Sequence, residues 1–297
     1  MKSLQLYFTV VLITFFLSSC GEDFFSTTLD VEPPTPEDIL VTHAFLNFDT
    51  NELNMWVSAT QPILNNDFSN NQLIGAEVTL NDNFDNKFTV DVSEKNTITY
   101  EVNNINANAD EVSISVNVDS YERNATASQT IPQKTNFKSF EFFEDGGLDT
   151  EGDQRSAIDV VFEDPPGEEN FYEVFISVRN NNDPNPENLR ATYTNSNDPI
   201  VNKGHDYLSV IFDDSTFDGE TKTLTLSMYP ISESNAKDNL FITWKNVSKD
   251  YFRFTKTYKA FRDQEDNPFA TPVQIFSNFE NGHGIFSVYR EQIVPVY

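Results

Sequence analysis

Polar and apolar residues alternate along most of the chain. In residues 112–118, with the sequence VSISVNV, apolar side chains occupy every second position. Because successive side chains of a β-strand point to opposite faces, this period of two indicates strands with one buried and one wet face. Seven such segments occur before residue 133, at 40–47, 52–59, 74–80, 88–92, 98–102, 112–118 and 126–131. Their close spacing, with Asn- and Asp-rich turns between them, predicts an immunoglobulin-like β-sandwich over residues 38–133.

The alternation continues after this region, but with longer loops between the segments. Predicted strands lie at 136–143, 156–162, 171–178, 207–212, 222–229, 240–246, 285–289 and 293–296. The loops at 144–154 and 180–188 are acidic or rich in Asn and Pro, and loops of this length often carry function. We therefore predict a second β-rich domain over residues 134–297, so that the fold class is mainly β.

One segment, residues 248–262, has a helical period instead. Tyr251, Phe254, Tyr258 and Phe261 recur at helical spacing, and Ser248 is a suitable N-cap. The other sides of this short amphipathic helix carry Lys249, Arg253, Lys256, Lys259 and Arg262. The basic side chains either dock an anion or acidic partner, or face water while the aromatic stripe packs on the sheet. We favour the second interpretation.

The N-terminus has the layout of a secretory signal. Lys2 precedes an apolar run at 6–17, which is too short to span a bilayer and ends in small residues before Cys20. Leu-Ser-Ser-Cys resembles the bacterial lipobox, in which the cysteine is acylated. Cys20 is the only cysteine, so plain secretion would leave an unpaired thiol. We predict a signal peptide at 1–19, lipidation and membrane anchoring at Cys20, and a flexible tether at 20–37, where prolines favour extended chain.

The charge of the chain excludes one class of partner. Its 297 residues contain 47 acidic and 19 Lys or Arg residues, a formal net charge of −28. Binding of a nucleic-acid backbone needs clustered Lys and Arg side chains, so we expect no nucleic-acid partner. The charge suits a soluble, outward-facing protein. The three histidines, His43, His205 and His283, are too scattered to indicate a metal site.

Two acidic clusters are candidate calcium loops. Residues 149–153 carry carboxylates at alternate positions, but the EF-hand glycine and terminal glutamate are missing. A second cluster contains Asp213, Asp214, Asp218 and Glu220. For both we favour a solvated turn over calcium. No nucleophile elbow, phosphate loop or zinc motif occurs, so we predict no catalytic residue, metal ligand or cofactor.

The closing segment resembles a known family. Residues 267–286 contain the sequences NPF, PV, SN and GHGIF. Other stretches that resemble the same family lie at 121–132, 164–167, 212–213 and 217–219. These residues look like an uncharacterised Bacteroidota outer-membrane lipoprotein family, catalogued as a domain of unknown function. His283 and Ser287 depart from the pattern, which has an apolar residue and a glycine there. The resemblance implies an outer-membrane lipoprotein often encoded beside a TonB-dependent receptor, and it implies no established activity.

These observations favour a protein that is not an enzyme. The first hypothesis is a lipid-anchored, surface or outer-membrane lipoprotein that binds a partner or nutrient alongside a TonB-dependent receptor. The alternative is a carbohydrate-binding or adhesive module that works alone. A glycosidase ranks last, because in a chain with 47 acids adjacent carboxylates carry little information.

Overall fold

The alternating segments fold into three β-sheets. The computed structural model describes residues 37, 39–62, 71–121, 124–149, 152–179, 188–203, 208–236, 239–264 and 269–297. The predicted signal peptide, Cys20 and all of the tether except Glu37 lie outside these residues. Residues 37–60 and 67–297 form one compact unit.

The described part of the chain contains sixteen strands and two helices. The strands are β1 (Leu40–Asn47), β2 (Glu52–Ala59), β3 (Glu77–Asp82), β4 (Lys87–Asp91), β5 (Thr99–Glu101), β6 (Glu111–Asn117), β7 (Ala125–Thr130), β8 (Asn136–Phe143), β9 (Ser156–Glu163), β10 (Phe171–Arg179), β11 (Leu189–Ala191), β12 (Asn202–Lys203), β13 (Val210–Asp213), β14 (Thr221–Met228), β15 (Leu240–Val247) and β16 (His283–Pro295). The helices are α1 (Glu233–Ala236) and α2 (Lys249–Arg262).

The described strands form one large sheet of nine strands and two smaller sheets. The order of the large sheet is β12-β13-β10-β15-β16-β1-β2-β5, and β11 also pairs with β10. The smaller sheets have the orders β4-β3-β6-β7 and β14-β9-β8. Among the described strand pairs, β1 with β16 is parallel and the others are antiparallel.

Both smaller sheets pack on the same face of the large sheet. The first core joins side chains of β1 and β2, such as Leu46 and Leu53, to the four-stranded sheet. The second core joins β10 and β15, including Tyr172 and Trp244, to the three-stranded sheet. Phe286 of β16 lies in the first core, and Val296, the residue directly after β16, lies in the second and still pairs with Leu240 of β15. These positions have the same parity along the strand, so one face of β16 serves both sandwiches.

The prediction of a mainly β fold with sandwich packing is confirmed, and the bounds of β1, β2 and β8 are as predicted. The prediction of two short strands at 285–289 and 293–296 is wrong, because a single strand of 13 residues, β16, spans this region. The predicted division at 133/134 separates β7 from β8, but the large sheet runs across it. Folding as separate domains stays a prediction.

Helix α2 covers part of the opposite face of the large sheet. Ser248 is its N-cap as predicted, and its side chain accepts a hydrogen bond from the Tyr251 backbone N–H. The predicted aromatic stripe is only partly correct. Phe252, with 5% of its surface exposed, is the buried residue of the helix, whereas Phe254 is half-buried and Phe261 is 39% exposed.

The helix packs on strands of both sandwiches. Phe252 contacts Phe171 of β10 at a ring distance of 5.1 Å, and Phe254 contacts His43 and Phe45 of β1. The Tyr251 hydroxyl donates to the buried carboxylate of Glu173. The helix therefore packs on the shared sheet, rather than on the second sandwich alone as expected. No helix in the described ranges has the length and apolar character needed to cross a bilayer.

Gly284 allows β16 to approach β1. It lies opposite Thr42 in the parallel pair and has φ of +112°. A Cβ at this position would lie 1.9 Å from the Thr42 carbonyl oxygen. Only glycine fits this contact, because any side chain would push the strands apart.

We expect Gly284→Ala to lower the free energy of unfolding by more than about 4 kcal/mol, measured by urea denaturation. The matched control is Gly75→Ala. Gly75 also has positive φ, at +85°, but open space surrounds its Cβ position. That control should cost roughly 1–2 kcal/mol from backbone strain alone. Equal losses in the two variants would contradict the steric argument.

Candidate functional site

A cleft of about 560 Å³ opens where the two sandwiches meet. Its walls come from residues 128–133 at the end of β7, residues 168–171 at the start of β10, and residues 246–250 between β15 and α2. The cleft is lined mainly by polar groups and by the first residues of α2. Its position follows from the shared sheet, since the chain crosses from one sandwich to the other at 131–135.

Charged side chains of the cleft are held in fixed positions. Asp250 Oδ2 accepts hydrogen bonds from Gln129 Nε2 at 2.9 Å and from Asn278 Nδ2 at 3.0 Å. Lys249 pairs with Glu169. Glu111 and Glu168 also line the cleft and are exposed. Acids outnumber bases here, so the cleft favours a cationic or neutral ligand or partner surface.

The crossing segment beside the cleft is anchored to β16. Arg290 Nε donates to the Pro132 carbonyl at 3.0 Å, and Arg290 Nη1 lies 2.9 Å from Asp49 Oδ1. Lys134 pairs with the same oxygen at 2.9 Å. Two bases therefore share one largely buried carboxylate, and this holds the cleft wall at 132–134 in place.

A cluster of three carboxylates lies next to the cleft, at one end of the second core. Asp164 follows β9, Asp214 follows β13, and Asp218 belongs to the turn before β14. One oxygen from each lies within 4.8 Å of the others. Asp164 and Asp214 are only 1% and 4% exposed, whereas Asp218 is exposed.

Backbone amides and one phenol orient these carboxylates. The Gly219 N–H donates to Asp164 Oδ2 at 2.9 Å, and the Gly167 N–H donates to Asp218 Oδ1 at 2.7 Å. The Tyr172 hydroxyl donates to Asp164 Oδ1. The turn at 164–170 and the turn at 214–219 are thus connected through acidic side chains.

Burial changes the protonation of the cluster. Desolvation raises the pKa of Asp214 to about 6, with the negative charges of Asp164 and Asp218 adding to the effect. The pKa of Asp164 is also raised, chiefly by burial. No described lysine, arginine or histidine forms an ion pair with any of the three. Two buried acids therefore lie together without a basic partner.

Asn170 completes this group of polar residues. Its backbone N–H donates to Asp214 Oδ2 at 2.9 Å, and its side-chain Oδ1 is buried without a hydrogen-bond partner. The β10–β13 register pairs Phe171 with Asp213, and the Asp214 N–H donates to the Asn170 carbonyl at 3.2 Å. Asn170 and Asp214 are therefore directly opposed, and their side chains share one face of the sheet.

The expectation of solvated turns at the two acidic clusters is only partly correct, because Asp153, Asp218 and Glu220 are exposed whereas other acids of the clusters are buried or paired. Asp214 is buried beside Asp164, and Asp149 pairs with Arg155 at 2.6 Å with its side chain only 5% exposed. Asp164 was not expected in the cluster, because it is about 50 residues away in sequence. The available signal was the acidic pair Glu163-Asp164, which lies between an apolar strand and the turn sequence PPG.

The basic side of α2 is largely paired within the chain. Arg253 lies 4.0 Å from the centre of the Phe276 ring, Lys256 lies 5.0 Å from that of Phe252, and Lys259 pairs with Asp263 at 2.9 Å. This arrangement agrees with the interpretation that we favoured over an anion-docking surface. The histidines form no cluster in the described ranges. His43 lies against Phe254 with the ring planes tilted by 56°, His283 is exposed, and His205 lies outside those ranges.

The fold and its polar cleft define a mainly β protein built from two sandwiches that share one sheet. The chain belongs to the family named Domain of unknown function (DUF4249), whose model matches residues 26–292. This agrees with the part of the resemblance that concerned an uncharacterised family.

No curated protein sequence matches the chain. Among solved structures, the chain aligns with a yeast delta-COP-I mu-homology domain in complex with a Dsl1 WxWxV peptide. That alignment covers 89% of this chain and 99% of the other at 11% identity, with a TM-score of 0.20. So low a TM-score carries no argument about function.

The pKa of Asp214 leads to a prediction in the absence of divalent cations. An ordinary aspartate has a pKa of 3.8, so between pH 3.8 and about 6 the folded chain keeps a proton that the unfolded chain has lost. Raising the pH through this window therefore disfavours the folded state. Asp214→Asn should gain in Tm relative to wild type as the pH rises from about 4 to about 7, measured in EDTA by thermal melts.

The neighbouring variant Asp213→Asn is the control for this comparison. Asp213 is half-buried and lies on the other face of the strand. A Tm difference between Asp214→Asn and wild type that stays constant with pH would contradict the assignment of a raised pKa.

Proposed function

We propose that this protein is a non-enzymatic lipoprotein of the outer membrane, exposed at the cell surface. It is anchored through Cys20 and binds a partner or nutrient alongside a TonB-dependent receptor. The observation that carries the proposal is the segment Leu17-Ser18-Ser19-Cys20 after a short apolar run. It combines a peptidase-compatible site with a thiol that has no disulfide partner in this sequence. The family match begins at residue 26, within the predicted tether.

The cleft is the proposed docking surface. A preformed polar cleft with fixed side chains favours recognition, because fewer side chains have to be ordered when the partner binds. The exposed acids Glu111 and Glu168 leave the cleft negative, and Asp250 is held by two amide groups. A complementary partner therefore presents basic or neutral polar groups.

The arrangement of acids supports binding rather than glycoside hydrolysis. Glycosidases place two carboxylates on either side of an accessible sugar, about 5–9.5 Å apart. Here Asp164 and Asp214 lie within 4.8 Å of each other and are almost completely buried. A sugar cannot enter between them, so this cluster does not strengthen the glycosidase hypothesis.

We expect the wild-type protein to incorporate an azido fatty acid in growing bacteria, and Cys20→Ala to lose the label. The cysteine sulfur is the attachment point of the lipid, so Cys20→Ala removes it. The control is Ser19→Ala, which keeps a small residue before the cysteine and should be labelled like wild type. Equal labelling of wild type and Cys20→Ala would refute the anchor.

We also expect a charge reversal in the cleft to release the receptor. The double variant Glu111→Lys, Glu168→Lys changes exposed residues only, so it should fold with wild-type Tm. It should fail to co-purify with the TonB-dependent receptor from detergent-solubilised membranes, and wild-type binding should weaken with salt.

The control for that experiment is Asp91→Lys with Glu94→Lys, which makes the same change in charge at exposed positions outside the cleft. The control should retain the receptor. If the cleft variant and the control retain it equally, the cleft is not the docking surface, whereas the lipid-anchor proposal is unaffected.

A stand-alone carbohydrate-binding module is the second candidate. A smaller pocket of about 260 Å³ contains Arg155, which lies 5.1 Å and 5.3 Å from the ring centres of Tyr193 and Tyr229. Tyr229 is 55% exposed, and the pocket is also lined by Asp198, Thr223 and Thr225. Exposed aromatic rings beside polar groups suit sugar stacking. Retention of glycans by the purified chain, without a receptor, would favour this candidate.

A further inference from the structure

We infer that Asp164, Asp214 and Asp218, together with the side-chain oxygen of Asn170, form a binding site for a calcium ion. The site lies between the turn that follows β9 and the turn that precedes β14. It is distinct from the partner-binding cleft, although Asn170 belongs to both.

The spacing of the oxygens suits calcium. Calcium binds six to eight oxygen ligands at about 2.3–2.6 Å, so two ligands of one ion lie at most about 5 Å apart. One oxygen from each of the three carboxylates satisfies this limit at once, since they lie within 4.8 Å of one another. Magnesium, with ligands at about 2.0–2.1 Å, requires a tighter octahedron and usually keeps its waters. Water molecules at the exposed side, next to Asp218, would supply the remaining ligands of calcium.

The charge of the cluster requires compensation. Asp164 and Asp214 are removed from water, and no described base pairs with them. Burying an ionised carboxylate without a counter-charge is costly, so such groups either take up a proton or bind a cation. At neutral pH in the presence of calcium, a divalent ion neutralises the pair without protonation.

Asn170 provides an observation that does not depend on the acids. Its residue surface is only 8% exposed, and its Oδ1 has no hydrogen-bond partner. A buried amide oxygen without a partner loses the hydrogen bond that it made to water in the unfolded chain. Because Asn170 is directly opposite Asp214 on the same face, this oxygen lies beside the carboxylates, and amide oxygens are common calcium ligands.

A bound ion would connect the two turns that the carboxylates come from. The first turn continues into residues 168–170, which form one wall of the cleft. Calcium would therefore order that wall, and occupancy of the ion site would influence what the cleft binds.

The test uses the full chain purified in detergent, stripped with EDTA and titrated with CaCl₂ by calorimetry. We expect one calcium-dependent event that Asp214→Asn abolishes, with a Kd of about 10⁻⁴–10⁻³ M, typical of extracellular sites. Saturating CaCl₂ should raise the Tm by about 3 °C or more. Asp218→Asn should weaken binding about tenfold or more, and because Asp218 is exposed this variant should fold even if Asp214→Asn does not.

Two further variants separate a specific site from general attraction to an acidic surface. Asp213→Asn removes a neighbouring charge outside the cluster and should bind calcium like wild type. Asn170→Asp adds a carboxylate and should tighten binding. Absence of a Tm shift, or an equal shift in wild type and Asp218→Asn, would mean adventitious binding only and overturn the site. An equal shift with MgCl₂ would overturn the assignment to calcium.

Discussion

The parallel pairing of β1 with β16 is the interaction on which the rest of the structure depends. β16 lies between β1 and β15, and its backbone groups are paired on both sides. The same strand contributes Phe286 to the first core, and Val296 directly after it belongs to the second. Without it, the large sheet would be two unconnected pieces, and the cleft between the sandwiches would lose its shared floor.

Much of the fold could be predicted from the alternation of apolar residues. Strands with one buried face have a period of two whatever their partners, so β1 and β2 could be located from local sequence alone. Helix α2 could also be predicted, because Ser248 and the spacing of its aromatic residues are local signals. The burial of Phe252 could not be predicted from the sequence, since it depends on how the helix lies on Phe171 and its neighbours.

The long strand β16 shows why the rest could not be predicted. Arg290, Glu291 and Gln292 interrupt the apolar pattern and suggested a break between two strands. The structure tolerates them inside one strand because Arg290 pairs with Asp49, and Lys245 lies 3.9 Å from Glu291. These partners are distant in sequence, so no local window contains the information that makes the charged residues acceptable.

The burial of Asp164 and Asp214 could not be predicted for the same reason. Asp and Glu are seldom fully buried unless they are paired, and turns are usually exposed, so acids in turns are expected in water. Asp164 and Asp214 become buried because the end of β9 meets the start of β10 and the end of β13, where the Tyr172 hydroxyl donates to Asp164 and the Asn170 N–H donates to Asp214. The role of the site thus depends on strand register, which a single sequence specifies only weakly for strands far apart.

The long separation in sequence between β1 and β16 has a consequence for biosynthesis. Proteins are made from the N-terminus, and Asp49 and Arg290, which meet across the β1–β16 region, are 241 residues apart. One side of β1 in the first sandwich therefore stays unpaired until the 241 residues between Asp49 and Arg290 have been synthesised. Pairing of strands so far apart in sequence is slow, and it leaves the edge of β1 exposed to wrong partners. A chaperone that covers this edge until β16 is available would prevent such mispairing.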